Sequence, residues 1–155
     1  VWKNKFPYLS TVKDFDKNNP KLRWEKRLSN VELQNLFPNI GGINKIEILN
    51  ISDTGRVKNV RIYGEYGSNK ISGLDVRQKM NLNSTLFRFK LIEDEENNKF
   101  PFTKSLLVTG QGSGHGVGMS QWGAKYMASK GQKAETILKY YYKGVQVKPY
   151  QKSFF

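Results

Sequence analysis

Apolar and polar residues alternate in short runs through the first two thirds of the chain, then switch to a spacing of three and four. Lys45–Ile51 (KIEILNI) is apolar at Ile46, Ile48 and Ile51, and VKNVRIYGEY follows from Val57. The Asp53-Thr54-Gly55 turn between them makes this pair the clearest hairpin in the sequence. Arg23–Leu28 (RWEKRL) and Thr85–Glu93 (TLFRFKLIE) alternate as further strands, Lys70–Ser72 reads as a short one after Gly67-Ser68-Asn69, and Leu106–Gly110 (LLVTG) as another. Two capping boxes predict short helices: Ser29 with Glu32 opens one that ends before Pro38, and Ser72 with Asp75 opens one over LDVRQKMN.

Past residue 118 the period changes. Met119, Trp122, Gly123, Tyr126 and Met127 follow the i, i+3, i+4, i+7, i+8 template of an amphipathic helix, with Gly131 as its terminator. Ala134, Ile137, Leu138, Tyr141 and Tyr142 repeat the template for a second helix stopped by Gly144, and Val145–Val147 reads as a closing strand. No βαβ rhythm is present, so the fold class is α+β: short hairpins and a mixed sheet, with a C-terminal helix pair following a glycine-rich loop. The chain divides into an extended arm (1–22), a hairpin and short-helix region (23–92), a polar loop (93–105), and the glycine loop with its helix pair (106–149).

Composition narrows the chemistry. At 155 residues the chain is long enough to bury about 68–70% of its unfolded surface. Cysteine is absent, which excludes a thiol nucleophile, a disulfide scaffold and a cysteine zinc site. Lys and Arg number 26 against 13 acids, and four of those acids cluster at 93–96. So basic a surface favours anionic partners, although the lysines are scattered rather than striped. No run is apolar enough to span a bilayer, and the chain begins at Val1, as a processed product or a piece of a longer protein would.

Between strand and helix lies GQGSGHGVGMSQWGAKYMASKG, Gly110 to Gly131. Gly110, Gly112, Gly114, Gly116 and Gly118 fall at every second position around His115, the single histidine. Each glycine costs roughly 0.5–1 kcal/mol in a regular element, so five need a reason. A dinucleotide fingerprint fails because positions 115 and 117 are His and Val, no Gly-Lys-Ser/Thr occurs for a phosphate loop, and Trp122 spoils a nucleophile elbow at Ser120. One histidine cannot hold zinc. Two alternatives stay open: a backbone bared for close approach of a ligand beside a helix N-terminus, with His115, Ser120 and Gln121 adding donors and acceptors, or a tight turn packed under neighbouring strands with His115 bonded to backbone.

The stretch GSGHGVGMSQWGAKYMASKGQKAETILKYYYKGVQV closely resembles the C-terminal motif of the SpoIID/LytB family, and FPYLSTV, DTGRVKNVRIYG and ISGLDVRQKMNLNSTLFRF extend the resemblance over nearly the whole chain. That resemblance implies bacterial cell-envelope work. Family members look like peptidoglycan lytic transglycosylases, in which one Glu is both acid and base and the sugar's own 6-hydroxyl closes a 1,6-anhydro ring. Others were named as enhancers of a wall amidase.

The chain also departs from the family. The family's catalytic Glu lies in an N-terminal E-[MIV]-P context that has no counterpart here, and neither do the upstream cysteines that bind zinc in some relatives. The chain thus corresponds to the C-terminal portion of the domain. The positions carried over are substrate-binding ones: Gly114, His115, Gly116, Gly118, Ser120, Gln121 and Trp122, with no catalytic residue, no metal and no cofactor. Glu25, Glu32, Glu47, Glu65 and Glu135 sit in ordinary strand and helix patterns and are not expected to replace the acid. Trp122, Tyr126, Tyr141 and Tyr142 fall on apolar stripes and read as core, Trp122 with an edge toward a sugar cleft; Tyr140 lies off the stripe.

The implied partners are peptidoglycan glycan strands, with a wall amidase as a candidate, in the cell envelope. Nucleic acid is not expected, since the basic–aromatic alternation of a stacking platform is missing; a membrane enters only through a segment upstream of Val1. A non-enzymatic wall-binding or amidase-enhancing module is the alternative function.

Overall fold

The computed structural model describes residues 6–10, 12–15, 19–20, 22–93 and 104–148. They form two compact units, one from Pro20–His115 and one from Val1–Asn19 with Gly116–Phe155.

In the first unit, strand β1 (Arg23–Leu28) leads to helix α1 (Asn30–Leu36), a 3-10 turn at Pro38–Ile40, strands β2 (Lys45–Ile51), β3 (Val57–Tyr63) and β4 (Ser68–Ser72), helix α2 (Gly73–Lys79), and strands β5 (Phe87–Glu93) and β6 (Lys104–Gln111). Two three-stranded sheets result, in the orders β1-β6-β5 and β2-β3-β4. The α+β class stands. Every ladder in both sheets is antiparallel, where a mixed sheet was expected, and the parallel pairing among the described residues is one isolated bridge, Ser84 to Gly114.

Both capping boxes form. Ser29 Oγ accepts from the Glu32 N–H and Ser72 Oγ from that of Asp75, while each acid reaches back to the cap N–H. The hairpin registers Ile46 on Ile62 and Ile48 on Val60, with an irregularity at Asn50. Alternation aims one face of each sheet inward. Leu28, Val60, Ile62, Phe87, Leu106 and Val108 meet Leu33 and Phe37 of the α1 region and Val76 and Met80 of the α2 region in a single core. Close backbone approach fixes α2 on β3: a Cβ at Gly73 would lie 2.1 Å from the Val57 carbonyl oxygen.

The second unit is helix α3 (Gln121–Ser129) and helix α4 (Ala134–Tyr141), packed through Met127, Ile137 and Tyr141. Val12 and Phe15 of the expected arm pack on this pair, and Leu9 bridges Tyr142, so these described parts of the arm are docked. Phe15 stacks on Tyr126 at 5.5 Å between centroids. Two expectations need correction. Val145–Val147 is not a strand, because no ladder among the described residues offers it a partner. Tyr140 is half-buried against Phe15 and Tyr141, its hydroxyl donating to the Lys13 carbonyl, whereas Trp122 and Tyr126 are the exposed ones. The acidic part of the polar loop, in 94–103, lies outside the described residues.

Candidate functional site

The glycine loop straddles the boundary between units, which falls at His115–Gly116. Gly114 and His115 belong to the sheet unit, and Gly116, Gly118, Ser120, Gln121 and Trp122 to the helix unit.

In the sheet unit, β6 runs into the loop with its backbone already engaged. Gln111 N–H donates to the Leu86 carbonyl, Gly112 N–H to Leu22 and Gly114 N–H to Asn83. Ser84, fully buried, donates its hydroxyl to the Gln111 carbonyl at 2.6 Å. Trp24, opposite Gly110 in the ladder, lies flat on that glycine: a Cβ there would sit 2.1 Å from the indole. The indole N–H donates to the Gly112 carbonyl at 2.9 Å. Gly110 is therefore spent on a tryptophan rather than on a ligand.

The next four glycines answer to conformation. Their φ values are 66°, 90°, 70° and 99° at Gly112, Gly114, Gly116 and Gly118, a region that L side chains enter only at a cost of about 1–3 kcal/mol. The intervening residues keep negative φ. Alternating handedness is one way successive N–H groups come to line a concave surface. At Gly112 and Gly114 an added Cβ would meet nothing within 4 Å, so the backbone there faces open space. His115 is exposed.

In the helix unit the loop leans on Tyr142. Its hydroxyl accepts from the Met119 N–H at 3.2 Å and would stand 2.9 Å from a Cβ at Gly118. Ser120 is the N-cap of α3: its Oγ accepts from the Gly123 N–H at 3.1 Å and its carbonyl from Ala124. The hydroxyl proton of Ser120 is left to donate, and the N–H groups of Gln121 and Trp122 have no acceptor within the helix. Gln121 is exposed, and Trp122 is 36% exposed with Lys125 Nζ 5.1 Å from its ring centroid.

Sequence reasoning placed Gly123 on the apolar stripe, and it is buried there with Met127. It is also a contact point, since a Cβ there would lie 2.0 Å from both Asp14 Oδ1 and the Tyr141 hydroxyl, which hydrogen bond to each other at 2.8 Å. Tyr142 and Trp24 support the loop through partners 23 and 88 residues away, Asp14 meets Tyr141 127 residues away, and no local pattern marks such contacts.

Three of the carboxylates do structural work. Glu47 pairs with Lys45 and accepts from Tyr63, which together hold its carboxyl below the usual range; the Ser29 N–H does the same for Glu32. A glycoside-cleaving acid needs the opposite shift, toward a proton retained near neutrality. Glu135 pairs with Lys139 one helical turn on. Among the described residues no cluster of His, Asp and Glu could hold a metal ion, and no helix is long and apolar enough to cross a membrane.

A family model described as a domain of unknown function, DUF8618, matches residues 2–118, which takes in the sheet unit and most of the glycine loop. Stage II sporulation protein D of Bacillus subtilis (strain 168) is 35% identical over 149 residues, covering 94% of this chain and 39% of that protein. The protein of the same name from Bacillus amyloliquefaciens is 34% identical with the same coverage. The amidase enhancer of Bacillus subtilis (strain 168) is 32% identical over 90 residues, 56% of this chain and 12% of that protein. The chain thus spans 39% of the length of its sporulation relatives. By the model over most of its length the chain belongs to the DUF8618 family, and over 94% of its length it is similar to part of the stage II sporulation protein D relatives, which supports the SpoIID/LytB resemblance.

Proposed function

We propose that this chain is the glycan-holding portion of a cell-wall protein that works outside the cytoplasm, and that it binds a peptidoglycan strand along the glycine loop without itself supplying the acid that cleaves it. The observation that carries this is the bare backbone at Gly112 and Gly114, turned to open space by positive φ and clamped from behind by Leu22, Asn83 and Trp24. A clamped loop with open space in place of its side chains is preorganised for a ligand that must lie close.

Each proposed binding residue has a part. Gly114, with Gly112, leaves the approach free of side chains, while Gly116 and Gly118 hold the positive φ that shapes the loop. His115 offers a ring nitrogen to a sugar hydroxyl or to the lactyl carboxylate of muramic acid. Ser120 donates its remaining proton, and Gln121 supplies an amide together with the helix N-terminus. Trp122 gives an apolar ring edge for a pyranose face. The cap at Glu32 and the Lys45 and Tyr63 partners of Glu47 take those two carboxylates out of the candidates for a cleaving acid. The partial match to an amidase enhancer favours a second reading, in which the same loop tethers a wall amidase's activator to its substrate.

The test compares His115→Ala with wild type in retention on purified sacculi and in thermal melting. Affinity should fall by about 1.5–3 kcal/mol if a carboxylate is the partner, with melting almost unchanged, since an exposed position usually contributes a few tenths of a kcal/mol. A lowered melting temperature with unchanged affinity per folded molecule would make His115 a structural brace.

A further inference from the structure

The outer face of the sheet β1-β6-β5 carries a charge pattern that the glycine loop does not explain. Pairing aligns Arg23 with Gln111; Glu25 with Thr109 and Arg88; and Arg27 with Leu107 and Lys90. All of these but the half-buried Leu107 are exposed. Cations therefore stand on both outer strands, while the central strand contributes only uncharged side chains. The outer strands lie two strand spacings apart, about 9–10 Å, with Arg23 and Arg27 about 13 Å apart along β1. The result is a trough with cationic walls, a hydrogen-bonding floor at Thr109 and Gln111, and an axis along β6, which runs directly into Gly112. One end opens into a depression of about 800 Å³ lined by Arg23, Glu25, Thr54, Arg88, Thr109 and Gln111.

We infer that this trough is a docking track for a single chain of sparsely anionic, hydroxyl-rich polysaccharide, held by Arg23 and Arg88 at its carboxylates and fed along β6 toward the glycine loop. The width admits one extended chain. Glu25 decides the class of occupant. A carboxylate in the wall accepts hydrogen bonds from sugar hydroxyls but repels a phosphate carried on every repeat, so a phosphodiester polymer fits the face poorly. Thr109 and Gln111 match hydroxyl and amide groups of a sugar chain. Arg27 and Arg88 each spend one N–H locally, on Ser105 Oγ and the Phe87 carbonyl, which steadies the guanidinium and leaves the other donors for the ligand. This inference rests on the glycan reading above but concerns a different surface.

The experiment measures binding of the 155-residue chain to sacculi stripped of phosphate polymers with hydrofluoric acid, and to a single-stranded DNA 20-mer. Arg23→Gln/Arg88→Gln is expected to weaken sacculus binding about five- to tenfold, as two exposed charge contacts would, with melting unchanged because both residues are exposed. Glu25→Gln is expected to tighten DNA binding and not sacculus binding. If the double variant binds sacculi like wild type, or if it loses only DNA, the track is refuted. His115→Ala separates the two proposals: loss in His115→Ala alone leaves the loop reading and removes the track, and loss in the arginine pair alone does the reverse. A wild-type chain that ignores stripped sacculi removes both.

Discussion

Gly123 sits in the first turn of α3, where glycine is a poor choice unless something occupies the space of its side chain. Gly123→Ala at an ordinary helical position would stabilise by about 0.8–1 kcal/mol. Here the new methyl would lie 2.0 Å from Asp14 Oδ1 and 2.0 Å from the Tyr141 hydroxyl. Asp14 is exposed and can swing aside, but Tyr141 is 4% exposed and packed edge-on against Tyr140, so its ring must shift with the core. The substitution therefore loses a charge-assisted hydrogen bond, worth about 1.5–3 kcal/mol, and strains a packed ring at about 1–3 kcal/mol. Against the helical gain, the net is a destabilisation of about 1.5–5 kcal/mol. For a chain of this length that is a fall in melting temperature of roughly 3–20 °C, with faster amide exchange in α3 and α4. The control is the same change in an Asp14→Ala/Tyr141→Phe background, where it should become neutral or stabilising. A rise in melting temperature for Gly123→Ala in the otherwise wild-type chain would refute the reasoning.

Three further outcomes follow from the same geometry. The folded Glu32 carboxyl titrates below its unfolded value, because the Ser29 N–H bonds its ionised form, so its contribution is complete above the ordinary carboxylate range and is lost as pH falls through the folded value; the stability gap between wild type and Glu32→Gln should close on acidification below the ordinary carboxylate range, and a gap constant with pH would contradict the cap. Gly110→Ala should push the Trp24 indole off the strand and break its bond to the Gly112 carbonyl, red-shifting tryptophan fluorescence, and an unshifted spectrum would mean the contact is not tight. Purified chain incubated with peptide-free glycan strands should yield no anhydro-muropeptides by mass spectrometry; robust product would mean that a carboxylate in this chain is the acid.

Much of the fold was legible because its signals are local. The bounds of β1 and β2 follow from two-residue alternation, and Ser29 and Ser72 announce their helices through acids three residues away. Val145–Val147 carries the same strand-like pattern without a ladder to join, since propensity alone does not supply a partner. The glycine loop was legible as a site candidate, but the reason for its glycines was not. Spacing suggested five bared positions, whereas Gly110 accommodates Trp24 and the other four carry positive φ. Asp14 and Tyr141, 127 residues apart, are invisible to any window on the sequence. The charged trough was hidden for a related reason: Arg23 and Arg88 become neighbours of Gln111 and Thr109 only once the register is known.

Glycan held against the loop backbone is the claim on which the rest depends, and amide chemical shifts report it most directly. Titrating isotopically labelled chain with peptide-free glycan strands should move the amide resonances of residues 112–122, with those of Thr109 and Gln111 following, while the β2-β3-β4 sheet stays still. Shifts confined to that second sheet, or none at saturating glycan, would contradict the account.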